Sequence, residues 1–504
     1  MPNRLLIQSD PYQIRAAVFE EGRLAEIYLE HRGSRGVVGN VYKGRVSRVL
    51  PGMQAAFVDI GLERDAFLYA GDVRDPANPR GQVNEAESNG EEAVEADPAP
   101  RETRPIEELV EAGRELLVQV VKEPLHNKGA RITTEITLPG RYLVLVPETG
   151  SLGVSRRIQE VEERDRLRGV LEGLSAEGHG MIVRTAGEGR QREDFEGDLA
   201  YLARTWESLR RRAASLPAPA LIHQDLNLAL RTIRDRLDES FERVEVDGRE
   251  LFDSVVEVAR ETEPGVVDRI RLYEPPGSLF DAYKVEAAVD AALRSRVWLP
   301  SGGYIVINPT EALVAIDVNT GRFVGRKNLE DTVVRTNLEA VCEIVRQIRL
   351  RDLSGIIVVD FIDMNEPTSR AQVSEALTEE LKKDRAKNQV LTLSDFGLVE
   401  ITRKRSRSNL QGMLTRPCPQ CSGRGRILSA TTVCLRLRRQ VLRERQERGV
   451  GALTVRVHPE VAEALRGELI SLLDELEEIA GAPVEVVSAS EIHPETYELT
   501  ESPI

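Results

Sequence analysis

Two apolar runs in this 504-residue chain each end in a carboxylate. "ALVAIDVNTG" carries Asp317, and "GIIVVDFIDM" carries Asp360. Asn319 follows Asp317 by two positions, and residues two apart on a strand share a face. Two carboxylates and an amide oxygen are hard oxygen donors that suit Mg²⁺, an ion that keeps several of its waters. Held there, Mg²⁺ activates water and stabilises charge on a phosphodiester. The same pattern also suits two strand-end aspartates that only cap their loops.

Other residues carry weaker chemical signals. "RPCPQCSGRG" (416–425) places Cys418 and Cys421 in a C-x-x-C, half of a tetrahedral zinc site. Cys342 and Cys434 lie in helical stretches outside any second C-x-x-C and are expected to be small buried hydrophobes. A second copy of the chain, related by a two-fold axis, would complete a Cys₄ site; a metal-free turn is the other reading. Phe57 and Phe67 have Lys43, Arg45 and Arg48 nearby, the residue types with which small β-barrels stack and neutralise single strands. Both rings suit a barrel core equally well. Arg184 and Thr185 end the strand-like "IVRTAG", where a guanidinium and a hydroxyl could hold a terminal phosphate or form a plain surface pair. No phosphate-binding G-x-x-x-x-G-K-[ST], no G-x-S-x-G and no metal spacing among the six His is present.

The elements that must position these residues can be read from periodicity. Residues 39–73 read as short strands, and "ELLVQVVKE" (115–123) resumes them after the acidic, proline-containing stretch 74–105. That composition cannot bury enough surface to fold, so a small β-barrel with a long disordered insert is expected. Residues 135–229 mix strands with charged helices, and 230–293 are mixed α/β. "PSGGYIVINPTEALVAIDVNTG" (300–321) reads as a hairpin, followed by a helix at about 328–352. Leu338, Val341, Val345 and Ile348 line one face of it, and Asn328 is positioned to cap it. A buried strand then carries Asp360, so strand, helix and strand form a parallel βαβ unit with both aspartates at one sheet edge. A helical stretch, the strand "LTVRV", a helix at about 459–477 and the strand "PVEVV" make a small α/β terminal domain.

Bulk composition bounds the class. The chain is 41% hydrophobic and 30% charged, a globular and multidomain profile. Its net charge of −15 argues against nucleic acid, but residues 82–111 alone hold ten acids and two Arg. "RKRSR" (403–407) and "RLRRQVLRERQER" (436–448) are locally basic, and local fields govern binding more than the total does. Each such run also suits a solvated face. No apolar run approaches about 18 residues, so no membrane span is expected. Four cysteines and no secretion signal point to the cytoplasm.

With these stretches in view, the chain resembles the bacterial ribonuclease E/G family, on its ribonuclease G side, over nearly its whole length. "GNVYKGRV", "AAFVDIGLERDAFL", "HNKGARITT", "MIVRTAG", "TEALVAIDVNTG", "TNLEA", "RLRDLSGIIVVDFIDM" and "CPQCSGRG" carry the likeness. It implies a multidomain α/β (α+β) protein. Residues 1–35 and 230–293 would form a ribonuclease-H-like domain, interrupted by an S1-type OB barrel (36–134) and a 5′-monophosphate sensor (135–229). A deoxyribonuclease-I-like domain (294–414), a zinc-link (415–427) and a small C-terminal domain (428–504) would follow. The resemblance assigns catalytic Mg²⁺ to Asp317 and Asp360, helped by Asn319. It assigns RNA contacts to Phe57, Phe67 and Lys128, and a 5′-phosphate pocket to Arg184 and Thr185. Lys387 stands where the family often has an arginine near the scissile RNA, keeping the charge without the bidentate geometry. Zn²⁺ would be shared by Cys418 and Cys421 of two chains in a homodimer, which could pair into a tetramer. The implied activity is endonucleolytic hydrolysis of single-stranded A/U-rich RNA, stimulated by a 5′-monophosphate, in rRNA maturation and mRNA decay. The acidic insert is longer than expected for this barrel. No scaffold tail for degradation partners is expected.

Overall fold

A computed structural model describes residues 3–32, 36–74, 104–124, 129–174, 178–321, 329–391, 394, 397–404, 408–448 and 452–501. Most of the acidic insert (75–103), Lys128, the Asn328 cap and residues 405–407 of the first basic cluster lie outside the described residues. The chain divides into two units, Met1–Gln411 and Gly412–Ile504.

In the first unit, Asn3–Ser9, Gln13–Glu20 and Arg23–His31 form an antiparallel meander. The chain leaves it and returns at Phe241–Val246, which pairs parallel to Asn3–Ser9. Between these two passes lies a closed five-stranded barrel. Its strands are Val41–Leu50, Ala55–Asp59, Ala66–Tyr69, Arg131–Thr133 and Glu115–Lys122, and the last pairs back onto the first. Alternation decides what fills it: Ala56, Val58, Ala66 and Leu68 point in, while Phe57 and Phe67 point out. A four-stranded sheet follows, including Leu143–Val146 and Gly180–Val183, packed against the helices Val161–Gly173 and Arg192–Ser215. Asp198 of the second helix is buried and accepts the backbone N–H groups of Arg141, Tyr142 and Leu143 at 2.8–3.0 Å, fixing the turn into that sheet.

The sheet that carries the aspartates has six strands. Their spatial order is Arg296–Trp298, Tyr304–Pro309, Leu313–Asn319, Gly355–Asp360, Leu398–Arg403, Asn388–Val390. The two middle strands are parallel and joined by the helix Leu329–Arg351. Val341, Ile344, Val345 and Ile348 of this helix pack with Ile316, Val318, Ile357 and Val359 in one core. Cys342 is exposed rather than buried, because it sits one position off that stripe.

The other side of the helix is ionic. Arg349 donates to Glu26 at 2.8 and 3.1 Å and reaches Glu20, while Arg236 also holds Glu26. Arg346 donates to the Leu24 carbonyl at 2.7 Å, and Arg23 pairs with Glu343 at 2.6 Å. The helix is thereby clamped to the meander.

In the second unit, Leu453–Val457 lies between Val484–Ser488, parallel, and Tyr497–Glu501, antiparallel. Helix Ala430–Arg448 buries Cys434 against this core. The expected helix at 459–477 is two helices, Pro459–Arg466 and Ile470–Ala480. Gly467 leaves helical geometry (φ −112°, ψ −100°), and its N–H closes on the Glu463 carbonyl.

The Glu26 cluster sets an acid limit on stability. Burial pushes its carboxyl up, but Arg236 and Arg349 outweigh that and hold it at about 2, against an ordinary 4.5. A depressed carboxyl stabilises the fold above the ordinary value and loses that contribution as pH falls from about 4.5 towards 2. Glu26→Gln should cost about 3 kcal/mol at pH 7, because two guanidinia lose a buried partner. Urea midpoints of the two proteins should converge below pH 4.5; a pH-independent gap would refute this account.

Candidate active site

Asp317 and Asp360 are register partners on the two parallel strands. Parallel pairing places their side chains on one face, and the neighbours Ile316, Val318 and Val359 occupy the core on the other. Both carboxylates are exposed, and neither has a cationic partner among the described residues. Asn319 Nδ2 donates to Asp317 Oδ2 at 2.5 Å, so the amide turns that carboxylate and fixes its own orientation. Burial, then the negative charges of Asp317 and Asp363, push the Asp360 carboxyl up from its ordinary value. The pair therefore sets like charges side by side, with no cation against them among the described residues.

The strand ends are held from behind. Buried Asn337, in "TNLEA", donates to the Ile362 carbonyl at 2.9 Å and accepts the Ile362 N–H at 3.1 Å, pinning the turn after Asp360. Glu330 accepts the N–H groups of Asn365 and Glu366 at 3.3 and 3.2 Å. After Asn319 the chain turns at Gly321 (φ +61°), where a Cβ would stand 2.4 Å from the Gly302 carbonyl oxygen. Glycine is required there by both the backbone angle and the close approach. Asn337 was not singled out from sequence; a polar residue on the apolar stripe of a predicted helix was its available signal.

The barrel presents an aromatic row. Phe57 and Phe67 stand edge to face at 5.2 Å, and Tyr69 extends the row at 4.6 Å from Phe67. Arg48 lies 5.0 Å from the Phe57 ring and Arg131 5.2 Å from the Tyr69 ring. Tyr69 and Arg131 escaped the sequence reading, since single residues in short strands give no periodic signal. Lys43 and Arg45, by contrast, are both tied to Glu115, at 2.9 and 3.0 Å.

Arg184, Thr185 and Lys387 line one cavity of about 650 Å³, together with Arg141, Tyr142 and Arg190. Lys387 thus faces the Arg184 pocket. Arg184 pairs with Asp235 at 2.8 Å and also reaches the Gly140 carbonyl. Burial would raise Asp235, but Arg234 and Arg184 outweigh it and hold its carboxyl below the usual range. Thr185 Oγ1 lies 3.3 Å from Ser155 Oγ. Arg190 sits over the Tyr142 ring at 5.2 Å.

In the second unit Cys418 and Cys421 lie on a turn with Ser422 (φ 49°) and Gly423 (φ 83°). Backbone N–H groups of Cys421 and Gln420, then the Cys421 side chain, pull the Cys418 thiol below its ordinary value. The Gly425 N–H points at Cys421 Sγ, 3.3 Å away. His493 bonds the Gln420 carbonyl at 2.7 Å and Glu495 pairs with Arg424 at 2.5 Å, anchoring the turn.

Residues 137–406 match the model of the Ribonuclease E/G family, and 417–502 match that of the RNase E/G, Thioredoxin-like domain. Ribonuclease G of Salmonella typhimurium (strain SL1344) is 43% identical over 487 residues, covering 96% of this chain and 97% of that protein. Ribonuclease G of Haemophilus influenzae is 41% identical over 496 residues, 98% of each. Ribonuclease E of Escherichia coli (strain K12) is 36% identical over 461 residues, 91% of this chain but 42% of that longer protein. The chain belongs to the ribonuclease E/G family.

Proposed function

We propose that this chain is an endoribonuclease that hydrolyses single-stranded RNA at the Asp317–Asp360 pair with Mg²⁺ bound. The observation that supports this most is the pairing of two carboxylates in register on an open sheet face, neither with a cationic partner among the described residues. No group of three or more acidic, His or Cys side chains converges among the described residues. Mg²⁺ needs only one or two carboxylates when waters and substrate phosphate complete its shell, so the pair fits this ion. Bound there, the ion would supply a more acidic water and offset charge on the phosphodiester. Asp317 and Asp360 would hold it, and Asn319 would keep the Asp317 oxygens in place. A water oxygen would bond to phosphorus as the P–O3′ bond breaks, leaving a 5′-phosphate on the downstream product and, with a proton from that water, a 3′-hydroxyl on the upstream one.

The remaining residues bind and orient. Phe57 and Phe67 offer ring faces on which bases of any sequence can stack, with Arg48 beside them. Arg184, Thr185 and Lys387 would hold a 5′-monophosphate, two cations and a hydroxyl against its oxygens. A/U preference would follow from weak pairing in such RNA, and rRNA maturation and mRNA decay are the fitting settings. Cys418 and Cys421, one already biased towards thiolate, would supply half of a Zn²⁺ site completed by a second copy.

Cleavage of a fluorescent, 5′-monophosphorylated A/U-rich oligoribonucleotide with Mg²⁺ tests the central reading. Asp360→Asn should lower the rate about a hundredfold or more while keeping the fold, since even residues behind metal ligands are worth about 10–100-fold. A variant that still cuts would remove the pair from the mechanism. Arg184→Ala and Lys387→Ala should each erase most of the rate difference between 5′-phosphate and 5′-hydroxyl substrates, leaving the 5′-hydroxyl rate unchanged. An undiminished preference would assign the cavity another role. Cys418→Ala should sediment as a monomer and lose zinc; a zinc-free dimer would refute the shared site.

A further inference from the structure

The open face of the aspartate sheet carries a second cluster, outside the barrel and the Arg184 cavity. The strand Arg296–Trp298 forms one edge of that sheet, with Trp298 opposite Tyr304 and Arg296 opposite Val306. On the next strand Tyr304 is opposite Asn319 and Val306 is opposite Asp317. Directly opposed residues point to the same face. Trp298, Tyr304, Asn319, Asp317 and Asp360 therefore all look out from one surface, in two adjacent rows. Strands lie about 4.8 Å apart, so the edge strand stands about 10 Å from the one bearing Asp317.

The cluster is built in a way a stabilising cross-strand pair does not require. The Trp298 and Tyr304 rings meet edge to face at 5.3 Å. The Arg296 guanidinium lies 4.6 Å from the Tyr304 ring and 5.9 Å from the Trp298 ring. It has no carboxylate partner among the described residues. Trp298 is 62% exposed, whereas the chain's other tryptophan, Trp206, is 7% exposed. Aromatic residues make up only 4% of this chain. Here two of them, and a cation with no carboxylate partner among the described residues, share a face with the acidic pair.

We infer that Trp298, Tyr304 and Arg296 form a stacking platform for one unpaired nucleobase of the RNA substrate, with Arg296 facing its phosphate. This rests on the reading of Asp317 and Asp360 as the cleavage site. The largely exposed Trp298 ring then stands within one or two nucleotides of the scissile bond. A base laid on Trp298 would anchor the strand across the carboxylates, so the platform positions substrate and takes no part in bond breaking. Stacking of this kind tolerates any base, and its loss weakens binding by about tenfold.

Trp298 supplies its own reporter. In the double variant Trp206→Phe, Asp360→Asn it is the sole tryptophan of an uncut complex; Trp206 Nε1 has no hydrogen-bond partner to lose. Titration with a 5′-monophosphorylated A/U-rich oligoribonucleotide should quench its emission to saturation. In otherwise wild-type protein, Trp298→Ala should raise KM about tenfold with little change in kcat, and Trp298→Phe should restore most of it. Unchanged emission, together with unchanged KM in Trp298→Ala, would overturn the platform alone, provided Asp360→Asn has lost cleavage. Emission that shifts with protein concentration and ignores RNA would assign the face to a second copy of the chain and also overturn it. Cleavage retained by Asp360→Asn would overturn the underlying site, and the platform with it.

Discussion

The parallel pairing of Leu313–Asn319 with Gly355–Asp360 is the constraint on which the site depends. Parallel strands cannot be joined by a tight turn, so the chain must cross over the sheet, here through the helix Leu329–Arg351. The helix can cross only on the face where its apolar stripe finds Ile316, Val318, Ile357 and Val359. That burial fixes the register, because a slip of one residue would turn every side chain of a strand over. With the register fixed, Asp317 and Asp360 are forced side by side on the opposite face. Their mutual repulsion is a cost the core sustains.

The same helix performs a second task with its other side. Glu343 and Arg349 are buried and Arg346 is half-buried, and they meet Arg23, Glu26 and the Leu24 carbonyl on the meander. Buried ion pairs add little net stability relative to apolar packing, but removing one partner is severe. Their geometry is directional where apolar contact is not. A helix that is apolar towards the aspartate sheet and ionic towards the meander therefore sets the two sheets in one arrangement.

Charge and aromatic side chains are sorted by location. The chain is acidic in total, yet Arg48 and Arg296 stand over exposed or half-buried rings, while Arg131, over Tyr69, is also held by Asp72 at 2.8 and 2.9 Å. Lys43 and Arg45, equally promising in sequence, are occupied by Glu115. A guanidinium over a ring with no carboxylate partner keeps all its donors available to an oxyanion, whereas one in a carboxylate pair offers only those the carboxylate leaves. Local geometry thus makes a surface suited to a polyanion on a chain whose net charge of −15 argues against one.

Sequence by itself determined the elements whose physics is local. Alternation marked the strands of Asp317 and Asp360, 3.6-residue periodicity marked the helix between them, and strand–helix–strand order required parallel pairing. The C-x-x-C at Cys418 and Cys421 and the proximity of Asn319 to Asp317 were equally legible. The tertiary structure alone decided what depends on residues distant in the chain meeting in space. It turned Phe57 and Phe67 outward, exposed Cys342, broke the last long helix at Gly467, and brought Lys387 to Arg184 across some two hundred residues. It also set Trp298 and Tyr304 beside the acidic pair. Periodicity reports which face of an element is apolar, but the partner of that face is chosen by packing over the whole unit, which no single stretch of sequence contains.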